Sequence, residues 1–341
     1  MPEASYGRLL AGSPELLQRA WARWQQQPVD WDLTPEPWPL PPARQTTLAR
    51  AVSVQGPGTF FGKSTRTLTF EPAEANGWWF ERQDLDDALP FPVSARNVWT
   101  TGDVVSNIVL RAGPPHNYVR MVEHIIALKV GLHLDHVRVR TDSGDPPLFA
   151  QGSRDLVAAL DAAGLRELNR PADYYTVAET VTVCNPNGGF CTLRPAQPGA
   201  PELRVDCAVD FPTAIGRQRV CFRVHPARFR YAAEARTNTS ALKMLYCKTL
   251  GKLFADVRNL GYTRENILIA GRRGYYNPPR LLHAGKSLEA VWHRAALDLL
   301  AALALVEEGR FVGEVISYKA GHTLDVQMIC MLYKHGLLRK C

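Results

Sequence analysis

Either side of Asn169–Arg170–Pro171 the chain passes through the same succession, a run of strands and then helices. Upstream, ARAVSVQGPG and RTLTFEP alternate apolar and polar residues about a glycine turn, and VSARNVW and NIVLRAG continue as strands. RMVEHIIALKVGL has the composition of a helix, DHVRVRTDS of a strand, and GSRDLVAALDAAGL of a second helix. Downstream, YTVAETVTV, CTLRPA, ELRVDCAVDF and RQRVCFRV read as strands. Helices follow around ALKMLYCKTLGKLFADVRNLG and SLEAVWHRAALDLLAALAL, then the strand FVGEVISYK and a last helix from His322. Strands before helices, twice over, is an α+β pattern with a duplicated unit. It divides the chain into domains at 46–168 and 172–341, joined near 166–174, with residues 1–45 standing apart.

Those first 45 residues have a different character. SPELLQRAWARWQQQ offers Ser13 as N-cap and Pro14 at the first helical position, with Leu16, Leu17, Ala20, Trp21 and Trp24 on one face. TPEPWPLPP (34–42) cannot be helical. The expectation is a strap packed across the body with Trp31 and Trp38 as plugs; docking of a protein partner through residues 1–45 is the alternative. No apolar run approaches the ~20 residues of a membrane span, and MPEASYGRLL lacks a signal-peptide pattern. A soluble cytoplasmic protein is expected. Seven cysteines without a C-x-x-C read as free thiols in a reducing compartment, although Cys184 and Cys191 flank a turn they could bridge if oxidised. The net charge of +7 suits an anionic partner, but the basic residues are too scattered to argue for nucleic acid.

The chemistry-bearing residues sit on apolar segments. EAVWHRAALDLLAAL (289–303) could pack as core without help, yet it carries His293, Arg294 and Asp298. Imidazole and carboxylate on one helix suit a metal, but ligands must face the same way, and positions five apart lie roughly 140° around a regular α-helix. His124 follows Glu123 on a second apolar helix, and His322 lies in KAGHTLD between a strand and a helix. One such histidine alone is more often structural. Together with Glu123 they match metal-assisted amide hydrolysis, in which two or three ligands hold zinc, a carboxylate is the base and a cationic group meets the oxyanion.

VEHIIALKVGLHLDH (122–136), VDFP (209–212), EARTNT (234–239) and VGEVISYKAGHTLDVQM (312–328) occur in that order. In these segments the chain resembles the UDP-3-O-acyl-N-acetylglucosamine deacetylases of lipid A biosynthesis, from about Thr46 to Leu338. The resemblance implies two similar α+β domains, each a sheet with two helices, with the helix layers packed between the sheets. It makes one Zn²⁺ the cofactor, with His124, His293 and Asp298 as ligands. Glu123 becomes the general base, His322 the cationic acid at the oxyanion and leaving amine, and Thr237 a hydroxyl at the tetrahedral intermediate. Arg294 falls at a family lysine suited to a substrate phosphate, and Phe60 stands where a loop histidine contacts substrate. The implied small-molecule partner is a nucleotide sugar or acylated amino sugar, and the implied reaction is hydrolysis of its N-acyl amide.

The departures from the family pattern are specific. Its ligand helix reads His-x-x-x-Asp; here Leu297 occupies the expected position and Asp298 comes one residue later. The second aspartate that orients the catalytic histidine is Ala302, although Asp325 is a substitute within reach of sequence reasoning. GPGTFFG (56–62) has Phe60 for histidine, with Phe60 and Phe61 read as core, and FAQGS (149–153) has Gln151 for aspartate. Two readings follow. Either one extra residue widens a turn so that positions i and i+5 share a face, which is preferred because the five dispersed catalytic positions all persist; or the metal site has decayed and the protein is a metal-free binding or regulatory paralogue.

Overall fold

The computed structural model describes residues 5–60, 64–101, 106–199, 201–249 and 260–341. Two sheets flank a layer of helices that includes Glu123–Gly131 and 289–303. The first half carries a five-stranded sheet in the order Val52–Pro57, Thr65–Pro72, Val137–Thr141, Trp78–Arg82, Phe91–Pro92. Its helices are Glu123–Gly131 and Ser153–Ala163. The second half carries a seven-stranded sheet, and its helices occupy 289–303 and His322–His335. Helix 289–303 packs on strands Leu203–Asp210 and Arg217–Arg223 behind it and against helix Glu123–Gly131 in front. Being covered on both sides, it has no polar face, and Ala290, Ala295, Leu297, Leu300 and Leu303 are all buried. The α+β architecture with inward helix layers is therefore as the sequence and the resemblance led one to expect.

Asn169–Arg170–Pro171, where the pattern breaks in the sequence, closes a strand, Leu165–Pro171, that pairs with Arg44–Leu48. The helix expected over ALKMLYCKTLGKLFADVRNLG is present as Ala241–Lys248; residues 250–259, like Phe61, lie outside the described residues. All seven cysteines are free, and register sets Cys184 opposite Phe190 and Cys191 opposite Val183. No helix among the described residues is long and apolar enough to cross a membrane.

The head is built into the second sheet at both edges. Arg8–Ala11 adds a parallel strand beside Val181–Cys184, and Trp31–Asp32 adds one beside Arg217–Arg223. Glycines bracket the first of these where the backbones touch: a Cβ at Gly7 would lie 2.1 Å from the Thr180 carbonyl oxygen and one at Gly12 2.3 Å from that of Cys184. Between the two edge strands, helix Pro14–Gln26 crosses the outer face and buries Leu17, Ala20, Trp21 and Trp24 against Phe190, Ala208, Ile316 and Tyr318. Ser13 caps its first turn by accepting from the Leu16 amide, and Arg219 donates to the Trp24 and Gln27 carbonyls at its end. Trp31 stacks on His283 at 4.2 Å and meets Trp292 edge-on at 6.0 Å. Trp38 lies half-buried near Arg223.

Removing residues 1–42 will uncover the outer face and both edges of the seven-stranded sheet and lower the melting temperature. Trp21→Ala alone will cost about 3–5 kcal/mol in urea unfolding, the usual range for emptying a buried aromatic site. A truncated protein that melts like the full chain would show the head to be an independent tail.

Candidate active site

Where the inner helices meet, a pocket is lined by Glu123, His124, Thr237, His293, Asp298 and His322 among others. Four segments deliver them. Glu123 and His124 open the first-half helix, with Glu123 held by the Ile108 amide. Thr237 begins a short strand, Thr237–Ser240. The preceding Arg236 is locked to Glu289 by paired hydrogen bonds, at 2.7 Å from Nε and 3.1 Å from Nη2. Since Glu289 is the first residue of helix 289–303 and wholly buried, this ion pair fixes the strand against the helix. His322 begins the last helix.

Helix 289–303 is not uniform. It consists of the α-helical turn Glu289–Trp292, a π-helical segment His293–Asp298, and α-helix Leu299–Leu303. The widened turn anticipated from the five-residue spacing is there, and it turns Asp298 back toward His293: Asp298 Oδ1 lies 3.4 Å from His293 Nδ1 and 3.6 Å from His322 Nε2. Leu297, at the position where the carboxylate is one residue short, is buried core.

His124 and His293, the two histidines expected as ligands, approach with Nε2 atoms 3.1 Å apart. Two ligand atoms of a tetrahedral zinc lie ~3.3 Å apart. His124 Nδ1 is tied to Ser153 Oγ at 2.9 Å, so its Nε2 is the atom presented to the pocket. The Thr237 hydroxyl sits 2.9 Å from His293 Nε2. Asp298 is different. Its Oδ1 faces the Nδ1 side of the His293 ring rather than the His124 side, and this buried oxygen has no hydrogen-bond partner. Among the described residues no three His, Cys, Asp or Glu side chains are grouped as they would be around a metal ion. In donor chemistry the set still suits zinc, with two imidazole nitrogens at ligand separation and a buried carboxylate oxygen to spare.

Burial dominates the electrostatics. It drives the His124 imidazole down to about 3, helped by neighbouring His293, and so keeps it neutral, as a metal ligand must be. Burial also pushes Glu123 up to about 8, opposed by the Ile108 amide. For Asp298 burial acts upward, but His293, His322 and Arg294 together hold its carboxyl below the ordinary range. His322 is lowered by burial, against the pull of Asp298. Glu123 Oε1 stands 3.8 Å from His322 Nε2, so the base and acid candidates face one another.

The two residues expected to contact substrate are placed elsewhere. Arg294 is buried behind the site, where it pairs with Asp325 and donates to the Ala320 carbonyl at 3.0 Å. Its neighbours are already anionic, and it does not line the pocket. Asp325 is thereby committed to Arg294, and the carboxylate nearest His322 Nε2 is Asp298. Phe60 is buried with Leu260, Tyr262, Ile267 and Ile269, its ring 3.6 Å beneath the Arg120 guanidinium. Sequence reasoning missed Ser153 as the partner of His124 and Glu289 as the anchor of Arg236; each is the first residue of its helix.

A family model described as UDP-3-O-acyl N-acetylglycosamine deacetylase matches residues 45–334. The chain belongs to this family. Relatives named UDP-3-O-acyl-N-acetylglucosamine deacetylase include one from Bdellovibrio bacteriovorus, 29% identical over 84% of this chain and 88% of its own length. Another from Thermosynechococcus vestitus is 29% identical over 86% of this chain and 95% of its own. A third, from a Nostoc strain, is 28% identical over 84% and 96%. The family match begins at residue 45, so the head that seals the second sheet lies outside it.

Arg294→Met leaves Asp325 buried without its counter-charge and will destabilise the protein by about 3–5 kcal/mol. Arg294→Met with Asp325→Leu will recover most of that loss in a denaturant double-mutant cycle. A double-variant loss equal to the sum of the two single losses would show that the two side chains act independently.

Proposed function

We propose that the protein hydrolyses the N-acyl amide of a UDP-3-O-acyl-N-acetylglucosamine-type substrate, within lipid A biosynthesis or on a closely related sugar. One observation carries this reading: His124 and His293 present nitrogens at 3.1 Å in a pocket that also holds Glu123, Thr237, His322 and Asp298. Zinc would be held by His124, His293 and Asp298, and when bound it supplies Lewis acidity beside the scissile carbonyl. Glu123, in its carboxylate form, takes a proton from the attacking water. His322, across from it, donates through Nε2 to the developing oxyanion and delivers the proton to the departing nitrogen. The Thr237 hydroxyl adds a further hydrogen bond to the tetrahedral species. In this reading Arg294 serves from behind, by neutralising Asp325, and Phe60 supports the pocket wall. The free thiols fit a cytoplasmic setting.

Protein purified without added metal will contain close to one zinc per chain and release acetate from the UDP-sugar substrate. Asp298→Ala will lower zinc occupancy. Glu123→Ala will keep the zinc and lose at least a hundredfold in turnover, since a base activates water without holding the metal. Persistent absence of zinc, or wild-type turnover in both variants, would overturn the reading.

A further inference from the structure

The two helices that bring His124 and His293 together also meet at their opposite ends, around a second, smaller pocket. Its walls are mainly apolar, including Val130, Leu203, Val224, Leu303 and Phe311. Lys129, His133 and Arg310 bring nitrogen to its wall. Lys129 is buried and donates to the Ala304 and Val306 carbonyls at 2.8 and 2.7 Å. An ammonium has three hydrogens, and no third hydrogen bond of Lys129 occurs among the described residues. His133 has its Nε2 buried with no hydrogen-bond partner. It also adopts a left-handed backbone, φ 53°, just past the end of helix Glu123–Gly131. The remaining charges on the wall, Asp135 and Arg310, neutralise each other through bonds of 2.9 and 2.7 Å. Burial lowers Lys129 to about 8, and Asp135, Glu307 and Glu308 act in the opposite sense to keep its ammonium charged.

We propose that this pocket is a second small-molecule site, which takes a short-chain carboxylate. The anionic head meets Lys129 Nζ and His133 Nε2, and the hydrocarbon tail lies along Val130, Val224 and Leu303. Apolar walls with a few converging polar groups are the usual composition of a ligand site. The walls favour an alkyl carboxylate over a hydrated phosphate, and the charge favours it over an alcohol or amine. The site is separate from the candidate active site and does not depend on the deacetylase reading.

The test is a titration of full-length protein, ring-labelled with ¹⁵N at histidine, with sodium hexanoate, hexanol and hexylammonium. His133→Asn, a residue tolerant of left-handed backbone, assigns the His133 signal. Hexanoate will shift that signal saturably, with hexanol and hexylammonium at least tenfold weaker. Lys129→Met will weaken hexanoate at least tenfold. Should that variant fail to fold, Val224→Phe, which fills the pocket, will abolish the saturable shift. A stationary His133, an equal response to hexylammonium, or shifts confined to His124, His293 and His322 would each overturn the proposal.

Discussion

A helix can put residues five positions apart on one face only by widening a turn, and the arrangement of this pocket rests on such a turn. The π-helical segment His293–Asp298 is buried on every side, against helix Glu123–Gly131 in front and the seven-stranded sheet behind. In isolation a π turn is unfavourable. Here the sheet, the facing helix and the Arg236–Glu289 ion pair at the preceding turn constrain both of its ends. Were residues 293–298 to relax to a regular α-helix, Asp298 would swing away from His293 and His322, and a carboxylate would be left buried among apolar side chains. The inserted residue is thus retained by the same packing that it perturbs.

Charge is organised around that turn in two tiers. The front tier faces the pocket and contains Glu123, His124, His293, Asp298 and His322. Behind it, Arg294 lies against Asp325, with its Nη1 4.0 Å from Asp298 Oδ2. A lysine would offer a single charge point, whereas the guanidinium fork reaches both carboxylates at once. Ala302 follows from the same geometry. Where the family pattern places a second aspartate, this chain has a small apolar residue in the core, and Asp298 supplies the carboxylate beside His322 instead.

The inner helices, their apolar character and the strands at the core of the second sheet were legible in the sequence, because amphipathic alternation and all-apolar helices carry direct signals. Trp78–Arg82 was not. Its residues WWFER hide the alternation, since Trp79 is an aromatic on the outer face. Spacing alone requires a widened turn if His293 and Asp298 are to share a face, but whether the turn widens depends on the sheet and helix packed around it. The fate of Arg294 was beyond the sequence: whether an arginine points into a pocket or away from it depends on Asp325, 31 residues on, and on Ala320. Ser153 carried a weak signal as a serine at a helix start, where capping explains it equally well.

The head has a consequence in time as well as in space. Its edge strands pair with residues 181–184 and 217–223, and its helix packs on Phe190 and Tyr318. A nascent chain exposes Trp21 and Trp24 long before any of these partners leave the ribosome. At roughly 5–20 residues per second, the wait between Trp21 and the strand at 217–223 is about 10–40 s. Throughout that interval an amphipathic helix with two exposed indoles is available to chaperones or to a neighbouring nascent chain. The second sheet, for its part, cannot be sealed until strand Gly313–Tyr318 has been made, so a segment synthesised about 300 residues earlier is among the last to find its place.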